Sequence, residues 1–180
     1  MLFPRRRKKR RPEPHRRRPA CEPLEDRRML AVFTVDNTAD EGAGSLRDAI
    51  AQANASAGAD EIVFDTALFS TPQTILIESE LPTITEQLTI SGPGADLLAL
   101  DGGNSDVNKA VVPSLIAIDD GTEEPIQAAL SDLTIRNFWA TGAVLTNNEE
   151  LTLERVVFND NRGETGIKSN VSLSIVDSHF

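Results

Sequence analysis

A short strand-like pattern recurs in the second half of the chain at a spacing of 22 residues. Leu151 and Leu173 lie 22 positions apart, and so do Phe158 and Phe180. Each copy has an apolar residue, a small hydroxyl residue and a second apolar residue, which is the period of two that β-strands show. A repeat of this length with strand-like content predicts a solenoid, in which each repeat is one coil. The four segments that we align are Leu88-Thr89-Ile90, Leu133-Thr134-Ile135, Leu151-Thr152-Leu153 and Leu173-Ser174-Ile175.

The connections between these segments are rich in Asn and Gly. Such residues tolerate the left-handed backbone conformation that tight corners need. Gly142 and Gly166 are 24 positions apart, so we expect the loops to vary slightly in length. No helical periodicity follows Ala53, and the Leu spacing of leucine-rich repeats is not kept. The sequence therefore predicts an all-β fold, a parallel β-helix (solenoid), with one short capping α-helix near its N-terminal end.

The charge is divided between two regions of opposite sign. Residues 1–30 hold twelve Lys and Arg against four Asp and Glu, a net charge of +8. Since the whole chain carries −10, residues 31–180 carry −18. An acidic domain repels nucleic acid and anionic membranes. We predict a disordered basic tail at 1–31, the capped start of the β-helix at 32–104 and further β-helix coils at 105–180.

The basic tail has too few apolar residues to bury a core. A polybasic segment binds nucleic acid, binds anionic lipid or acts in targeting. Because no aromatic residues alternate with the basic ones to stack on bases, we expect no nucleic-acid partner. No apolar run approaches the length of a transmembrane helix, so no transmembrane segment is expected. Cys21 stands alone, which excludes a disulfide framework, and we interpret it as an inert thiol rather than a lipid attachment site.

Residues 21–30, at the end of this tail, read CEPLEDRRML. Leu24, Glu25, Arg27 and Leu30 stand in the order and spacing of an LEPRxLL-type motif. The segment resembles the N-terminal motif that follows a basic stretch in surface and secreted proteins of planctomycete-type bacteria, with an Asp and a Met replacing a Pro and a Leu. The resemblance implies a sorting segment that ends near residue 31 and is removed. It also implies a secreted or cell-surface protein.

A single amphipathic helix is predicted just after the first strand. Ser45 is a natural N-cap, and Asp48 lies three residues on, close to a capping-box arrangement. The apolar residues that follow fall at helical spacing and form one stripe, Leu46, Ala49, Ile50 and Ala53. A helix laid across the open first coil would cover its apolar interior, as the caps of solenoids do. We therefore interpret Arg47 as a structural contact of this cap rather than as a catalytic residue.

This first module resembles the opening of bacterial surface β-helix proteins. The stretches that carry the resemblance are TVDNT at 34–38, GAGSLRDAI at 42–50, GADEIVF at 58–64 and LTISGPGA at 88–95. They are similar to CSLREA-like and polymorphic-outer-membrane-repeat proteins, which share the pectate-lyase-like fold. Gly44 stands where that family has a Cys. The resemblance covers residues 32 to 180 and implies a right-handed parallel β-helix.

Three kinds of side chain in the coils are candidate ligand contacts. Asn residues suit sugars, but repeated Asn at turns more often forms a structural ladder. Acidic loop residues suit Ca²⁺, but these lack EF-hand spacing, and a solvated loop is the favoured interpretation. An aromatic pair offers a sugar-stacking platform, although one such pair is unspecific. The residues concerned are Asn137, Asn159 and Asn161, then Asp119, Asp120, Glu123 and Glu124, and finally Phe138 with Trp139. No cofactor is evident, and Ca²⁺ is the one ion that these residues suggest.

The sequence shows no Ser-His-Asp arrangement, phosphate loop or metal-ligand cluster, so the catalytic residues, if any, are unknown. Our first hypothesis is a noncatalytic secreted or cell-surface module for adhesion, glycan contact or a structural stalk, whose partners are extracellular polysaccharide or cell-envelope components. The alternative is a polysaccharide lyase or glycoside hydrolase of pectate-lyase-like fold. A third hypothesis, nucleic-acid binding through the basic tail, is the weakest of the three. We also expect a fragment of a longer surface protein, because the coil that ends at Phe180 has no cap.

Overall fold

The computed structural model of the chain describes residues 30–103, 114–162 and 165–180. These residues form eleven strands, one α-helix and one 3₁₀ turn. Every pairing between the strands is parallel, as stacked coils require. The elements are β1 Val32–Val35, α1 Leu46–Ala55, β2 Asp60–Phe64, the 3₁₀ turn Leu68–Ser70, β3 Gln73–Leu76, β4 Leu88–Ser91, β5 Leu98–Asp101, β6 Ile116–Ile118, β7 Gln127–Arg136, β8 Ala143–Asn147, β9 Glu150–Asn159, β10 Thr165–Ser169 and β11 Ser172–Val176.

The strands line three sides of a solenoid. Side 1 stacks β1, β2, β4, the first half of β7, the first half of β9, and β11. Side 2 stacks β3, β5 and the second halves of β7 and β9. Side 3 stacks β6, β8 and β10. Two paired strands therefore belong to successive coils, and one full turn of the solenoid separates them along the chain.

The core is built from columns of aliphatic side chains that run along the sides of the solenoid. On side 1 the register aligns Ile62, Ile90, Leu130 and Leu153, all at most 2% exposed. Since side chains alternate along a strand, the neighbours of these residues point outward to solvent. Burial of these aliphatic columns is the main source of stabilisation of the fold.

Two long strands bend in the middle, and the bends form one corner of the solenoid. Asp132 in β7 and Arg155 in β9 have positive φ angles of 56° and 53°. Before the bend β7 pairs with β4, and after it β7 pairs with β5. Gly92 lies at the same corner one coil earlier, where its amide donates to the carbonyl of Ser131 at 2.9 Å. The left-handed residues therefore separate side 1 from side 2.

Helix α1 buries the stripe that its spacing predicts. Leu46, Ala49, Ile50 and Ala53 are each at most 2% exposed, and the helix packs against β1 and β2. The predicted all-β solenoid with a short N-terminal helix is thereby confirmed, while its handedness stays a prediction. The boundary proposed between residues 104 and 105 falls outside the described residues.

The alignment of the four repeated segments is wrong for one of them. Leu88, Leu151 and Leu173 share a column, but their partner on β7 is Ala128, not Leu133. Leu133 instead lies on side 2. Both sides alternate apolar and small residues, so the local pattern does not reveal the side to which a segment belongs.

The spacing of 24 between two glycines also does not mark equivalent positions. Ala143 pairs with Thr165, which is a step of 22, so Gly142 and Gly166 are offset from each other by two residues. The coil step is 22 on side 3 as well as on side 1, where Leu151 pairs with Leu173. Constancy of this step keeps the last described coils in register.

Candidate functional site

Most of the predicted sorting motif lies outside the described residues. This holds for Leu24, Glu25 and Arg27, and for Cys21 before them. Leu30 is described and is 60% exposed. The next residue, Ala31, donates its amide to Oδ1 of Asp60 at 2.9 Å, which ties the start of the described chain to β2.

Ser45 and Asp48 both act at the N-terminus of α1. The Ser45 hydroxyl accepts a hydrogen bond from the Asp48 amide at 3.2 Å, and Ser45 is fully buried. The Asp48 carboxylate accepts from the amide of Gly44 at 3.1 Å and from the Gln52 side chain at 2.9 Å. The first of these bonds satisfies an amide that the first helical turn leaves unpaired, and the other two tie the Asp48 carboxylate to Gly44 before the helix and to Gln52 within it.

Arg47 connects the helix to two loops. Its guanidinium pairs with Asp40 at 2.8 Å and donates to the carbonyl oxygens of Ser79 and Glu80 at 3.0 and 2.6 Å. It also donates to the carbonyl of Asp40. With four acceptors around it, Arg47 is placed as a structural cross-link and presents no free donor pair to a substrate.

The acidic residues proposed for Ca²⁺ are only partly brought together. Asp119 and Asp120 lie with Glu149, and one carboxylate oxygen of each lies within 4.8 Å of the others. Glu123 and Glu124 are exposed and do not join the group. Glu149 is not predictable as a member, because it reaches the loop from the following coil.

Protein donors already occupy this acidic group. The Glu149 carboxylate is 2% exposed and accepts from the amides of Asp120 and Ile126, at 3.2 and 3.0 Å. The side-chain hydrogen bond from Asn148 and the backbone amide of Gly121 lower the pKa of Asp119. Both oxygens of Asp119 accept from protein donors as well, from Gly121 and Asn148 at 2.8 Å each. The group therefore organises the loop before β7.

The candidate Asn residues divide between structural and surface roles. Asn137 has a φ of 56° and donates to Asp101 at 3.0 Å. Asn161 donates to the carbonyl of Ile135 and accepts from the amide of Phe138, which is a corner contact. Asn159 alone faces a surface trough.

The aromatic pair is split by the fold. Phe138 is 2% exposed and belongs to the core, whereas Trp139 is 37% exposed. Trp139 forms a parallel bridge with Arg162 on the next coil. A stacking platform made of two adjacent rings is therefore not formed.

The side-1 trough is a shallow cavity of about 310 Å³ that crosses successive coils. Its floor includes the outward column Thr89, Ala129 and Thr152. Its acidic lining residues are Glu150 and Asp60, and the register places Asp60 in the inward column with Leu88 and Ala128. Its amide lining consists of the side chains of Gln87 and Gln127.

The side-2 trough is a second cavity, of about 290 Å³, across the outward column Thr74, Ala99, Thr134 and Val157. Arg136 lines it. The Arg136 guanidinium donates to Asp101 at 2.8 Å and to the Thr74 hydroxyl at 3.3 Å.

Asp101 lies beside this second trough, where it pairs with Arg136. Burial raises its pKa, but hydrogen bonds from the Gly103 amide, Arg136 and Asn137 outweigh burial, and the net pKa lies below its usual range. Arg136 thus has its positive charge largely compensated by Asp101.

No acid–base pair with a nucleophile is found among the described residues. His179 is exposed, and its backbone forms a bridge with Val157 at the last coil. The candidate site of the described chain is therefore the pair of troughs on sides 1 and 2. No helix in this part of the chain has the length and apolarity needed to cross a membrane.

Comparison with family models, with curated proteins and with solved structures gives no match to this chain.

Proposed function

We propose that the chain is a noncatalytic secreted or cell-surface β-solenoid module that contacts an extended glycan along the side-1 trough. The observation that carries this proposal is the repetition of polar groups across that trough. Gln87, Gln127 and Glu150 come from three successive coils and present amide or carboxylate groups in one line. Strands in neighbouring coils lie about 4.8 Å apart, a spacing close to the length of one sugar ring.

The floor of the trough suits a sugar chain for a second reason. Thr89 and Thr152 supply hydroxyls, and Ala129 between them leaves room. Hydroxyls and amides both donate and accept hydrogen bonds, as do the hydroxyls of a glycan. The resemblance of the first module to surface β-helix proteins, and of residues 21–30 to a sorting motif, supports a location outside the cytoplasm.

Filling one trough at a time tests the proposal. The full chain is assayed against a panel of soluble and insoluble polysaccharides. Ala129→Gln puts a larger side chain into the side-1 trough, and we expect binding to weaken about tenfold, which corresponds to about 1.4 kcal/mol. Ala99→Gln makes the same change in the side-2 trough and serves as the matched control. Retention of full binding by Ala129→Gln, or a cytoplasmic location of the protein in its own cells, would contradict the proposal.

A second candidate is a polysaccharide lyase or glycoside hydrolase that uses the side-2 trough. The observation that favours it is Arg136, a cation that lines the trough together with Asp96 and Asn159. A uronate polymer is anionic, and Arg136 is the one cation among the described residues that line this trough. Incubation with uronate polymers and Ca²⁺ tests this candidate, since a lyase releases unsaturated products. If Arg136→Met released no unsaturated product, the lyase activity could be assigned to the side-2 trough.

A further inference from the structure

Asp60 is a buried acid in an apolar column, and one oxygen of its carboxylate is unpaired. The register places its side chain in the inward column of side 1, with Leu88 and Ala128. Its Oδ1 accepts the Ala31 amide at 2.9 Å, whereas its Oδ2 is buried and has no hydrogen-bond partner among the described residues. No Lys or Arg in the described part of the chain pairs with it. A carboxylate that is buried with one neutral donor is costly for the fold, and a cation beside it lowers that cost.

The nitrogen beside this carboxylate is held in place from the other side of its residue. The Ala31 carbonyl oxygen accepts from the Glu61 amide at 2.9 Å, and the next residue, Val32, begins β1 in register with Glu61. Two hydrogen bonds therefore fix Ala31, and neither involves a residue before it. The Ala31 nitrogen would stay at Asp60 in a chain that began at this residue.

The peptide bond before Ala31 also separates two regions of opposite charge. Residues 1–30 carry +8, and residues 31–180 carry −18. Leu30 is 60% exposed, whereas the amide and the carbonyl of Ala31 are both hydrogen-bonded to β2. Hydrolysis of the Leu30–Ala31 bond would release the basic segment and break neither of these two hydrogen bonds.

We propose that Asp60 is the counter-ion of a free α-ammonium group at Ala31, formed when an endopeptidase hydrolyses the Leu30–Ala31 bond. One water molecule is consumed: its oxygen completes the Leu30 carboxylate, and its two hydrogens reach the Ala31 nitrogen, which already carried one. The product at Ala31 is –NH₃⁺, because an α-amino group is mostly protonated at pH 7. A neutral amide with one donor is thereby replaced by a cation with three.

The ammonium supplies what the Asp60 carboxylate lacks. It keeps the hydrogen bond to Oδ1 and brings two further donors and a positive charge next to Oδ2, the other oxygen of the same group. Hydrogen bonds between an ammonium and a carboxylate are about twice as strong as neutral ones. Because β1 is the edge strand of side 1 and pairs only with β2 among the described strands, the ion pair would fasten this edge. The inference is independent of the proposed glycan contact, since the Asp60 side chain points inward.

The stability of one chain before and after the cut tests the proposal. In the full chain, residues 27–30 are replaced by Ile-Glu-Gly-Arg, the recognition sequence of an endopeptidase that cuts after Arg, so that cleavage frees the Ala31 amine. The cut is made in mild denaturant, and cut and uncut samples are refolded in the same way. We expect the cut to lower the equilibrium constant for unfolding by about tenfold or more. An unchanged or raised constant would overturn the proposal.

Two variants of this chain separate the ion pair from the loss of the basic segment. Insertion of one Gly before Ala31 releases the same segment but moves the ammonium one residue away from Asp60. Asp60→Asn keeps an acceptor for the Ala31 nitrogen and removes the charge. Each cut form is compared with its own uncut form, and we expect the gain to be about tenfold smaller in both variants. If Asp60→Asn does not fold, the Gly insertion carries the comparison. A gain as large as in the parent chain would assign the effect to release of the segment and overturn the proposal.

The protein isolated from its own cells provides a second readout. We expect its N-terminal sequence to begin at Ala31. We also expect its α-amine to react with cyanate about tenfold more slowly in the folded protein than after unfolding in guanidinium, because a neighbouring carboxylate favours the charged amine, which does not attack. A mature chain that begins at another residue, or an amine that reacts equally fast in both states, would contradict the assignment of Asp60.

Discussion

Asp132 and Arg155 occupy the same corner of adjacent coils, and the two side chains form a bidentate ion pair there. The Arg155 guanidinium donates to both carboxylate oxygens of Asp132, each at 2.6 Å. Both residues have a left-handed backbone, with φ of 56° at Asp132 and 53° at Arg155. Glu154 is a further partner of Arg155. The ion pair therefore links the corners of adjacent coils at two residues whose left-handed backbone conformation is itself unfavourable.

The first prediction separates the strain at Arg155 from its ion pair. Both Arg155→Ala and Arg155→Asn lose the ion pair. Ala disfavours a positive φ, whereas Asn tolerates this conformation. We expect Arg155→Asn to be more stable than Arg155→Ala by about 1 kcal/mol, as measured by denaturant unfolding. The pair itself is half-exposed, so solvent screens it and its contribution to stability is small. Equal stability of the two variants would contradict the backbone argument.

A second prediction concerns the same corner one coil earlier. A Cβ atom built on Gly92 would lie 2.2 Å from the Asp132 carbonyl oxygen, a backbone atom that cannot turn aside. Gly92→Ala should therefore lower the free energy of unfolding by about 3 kcal/mol or more. Gly166→Ala is the matched control, since a Cβ there meets nothing within 4 Å, and its effect should stay within about 0.5 kcal/mol. A neutral Gly92→Ala would show that the two coils separate easily at this corner.

The bends at these corners limit how much of this fold can be predicted from the sequence. Alternation of apolar and polar residues is local, so it predicts the strands, and the stripe from Leu46 to Ala53 predicts the helix. The side of the solenoid to which a strand belongs depends on the backbone at the bends. An Arg at a left-handed position, as at Arg155, gives no signal for such a bend. The local pattern consequently places Leu133 in the wrong column.

The candidate site was harder to predict for a related reason. Gln87, Gln127 and Glu150 are ordinary polar residues at strand ends, separated by 40 and 23 positions. Only the stacking of coils brings them into one line. Glu149 likewise contacts Asp120 from the next coil, at 3.2 Å. The side chains that meet in a solenoid are fixed by its register, which depends on the length of every loop between them.

The third prediction concerns acid stability. The pKa of Asp101 is lowered in the folded protein by its hydrogen bonds with Gly103, Arg136 and Asn137, which outweigh burial. A carboxyl group with a lowered folded pKa stabilises the protein fully above its unfolded pKa of about 3.9, and the stabilisation is lost as the pH falls through the folded value. We therefore expect wild type to exceed Asp101→Asn in stability at pH 7, with a gap that narrows below about pH 4.

Denaturant unfolding from pH 7 down to the acid limit measures this gap. Arg136→Met provides the comparison, since it removes the cation and leaves the Asp101 carboxyl. Its deficit should also shrink as the pH falls, because protonation of Asp101 weakens the pair in the wild type too. If the difference in the free energy of unfolding between wild type and Asp101→Asn did not change with pH, Asp101 would stabilise the fold in its protonated form as well.

The fourth prediction tests the interpretation of Arg47 as a structural cross-link. Arg47→Met keeps much of the apolar stem but leaves the carbonyl oxygens of Ser79 and Glu80 without their donor. Because these are hydrogen bonds to a charged group that is only 19% exposed, we expect a loss of about 2 to 3 kcal/mol in the free energy of unfolding. Ser45→Ala removes one capping bond from the same helix and should cost about 1 kcal/mol. If Arg47→Met is as stable as wild type but binds glycan or turns over substrate less well, Arg47 belongs to a functional surface. If its stability falls and the folded fraction still binds, the role of Arg47 is to hold α1 over the first coils.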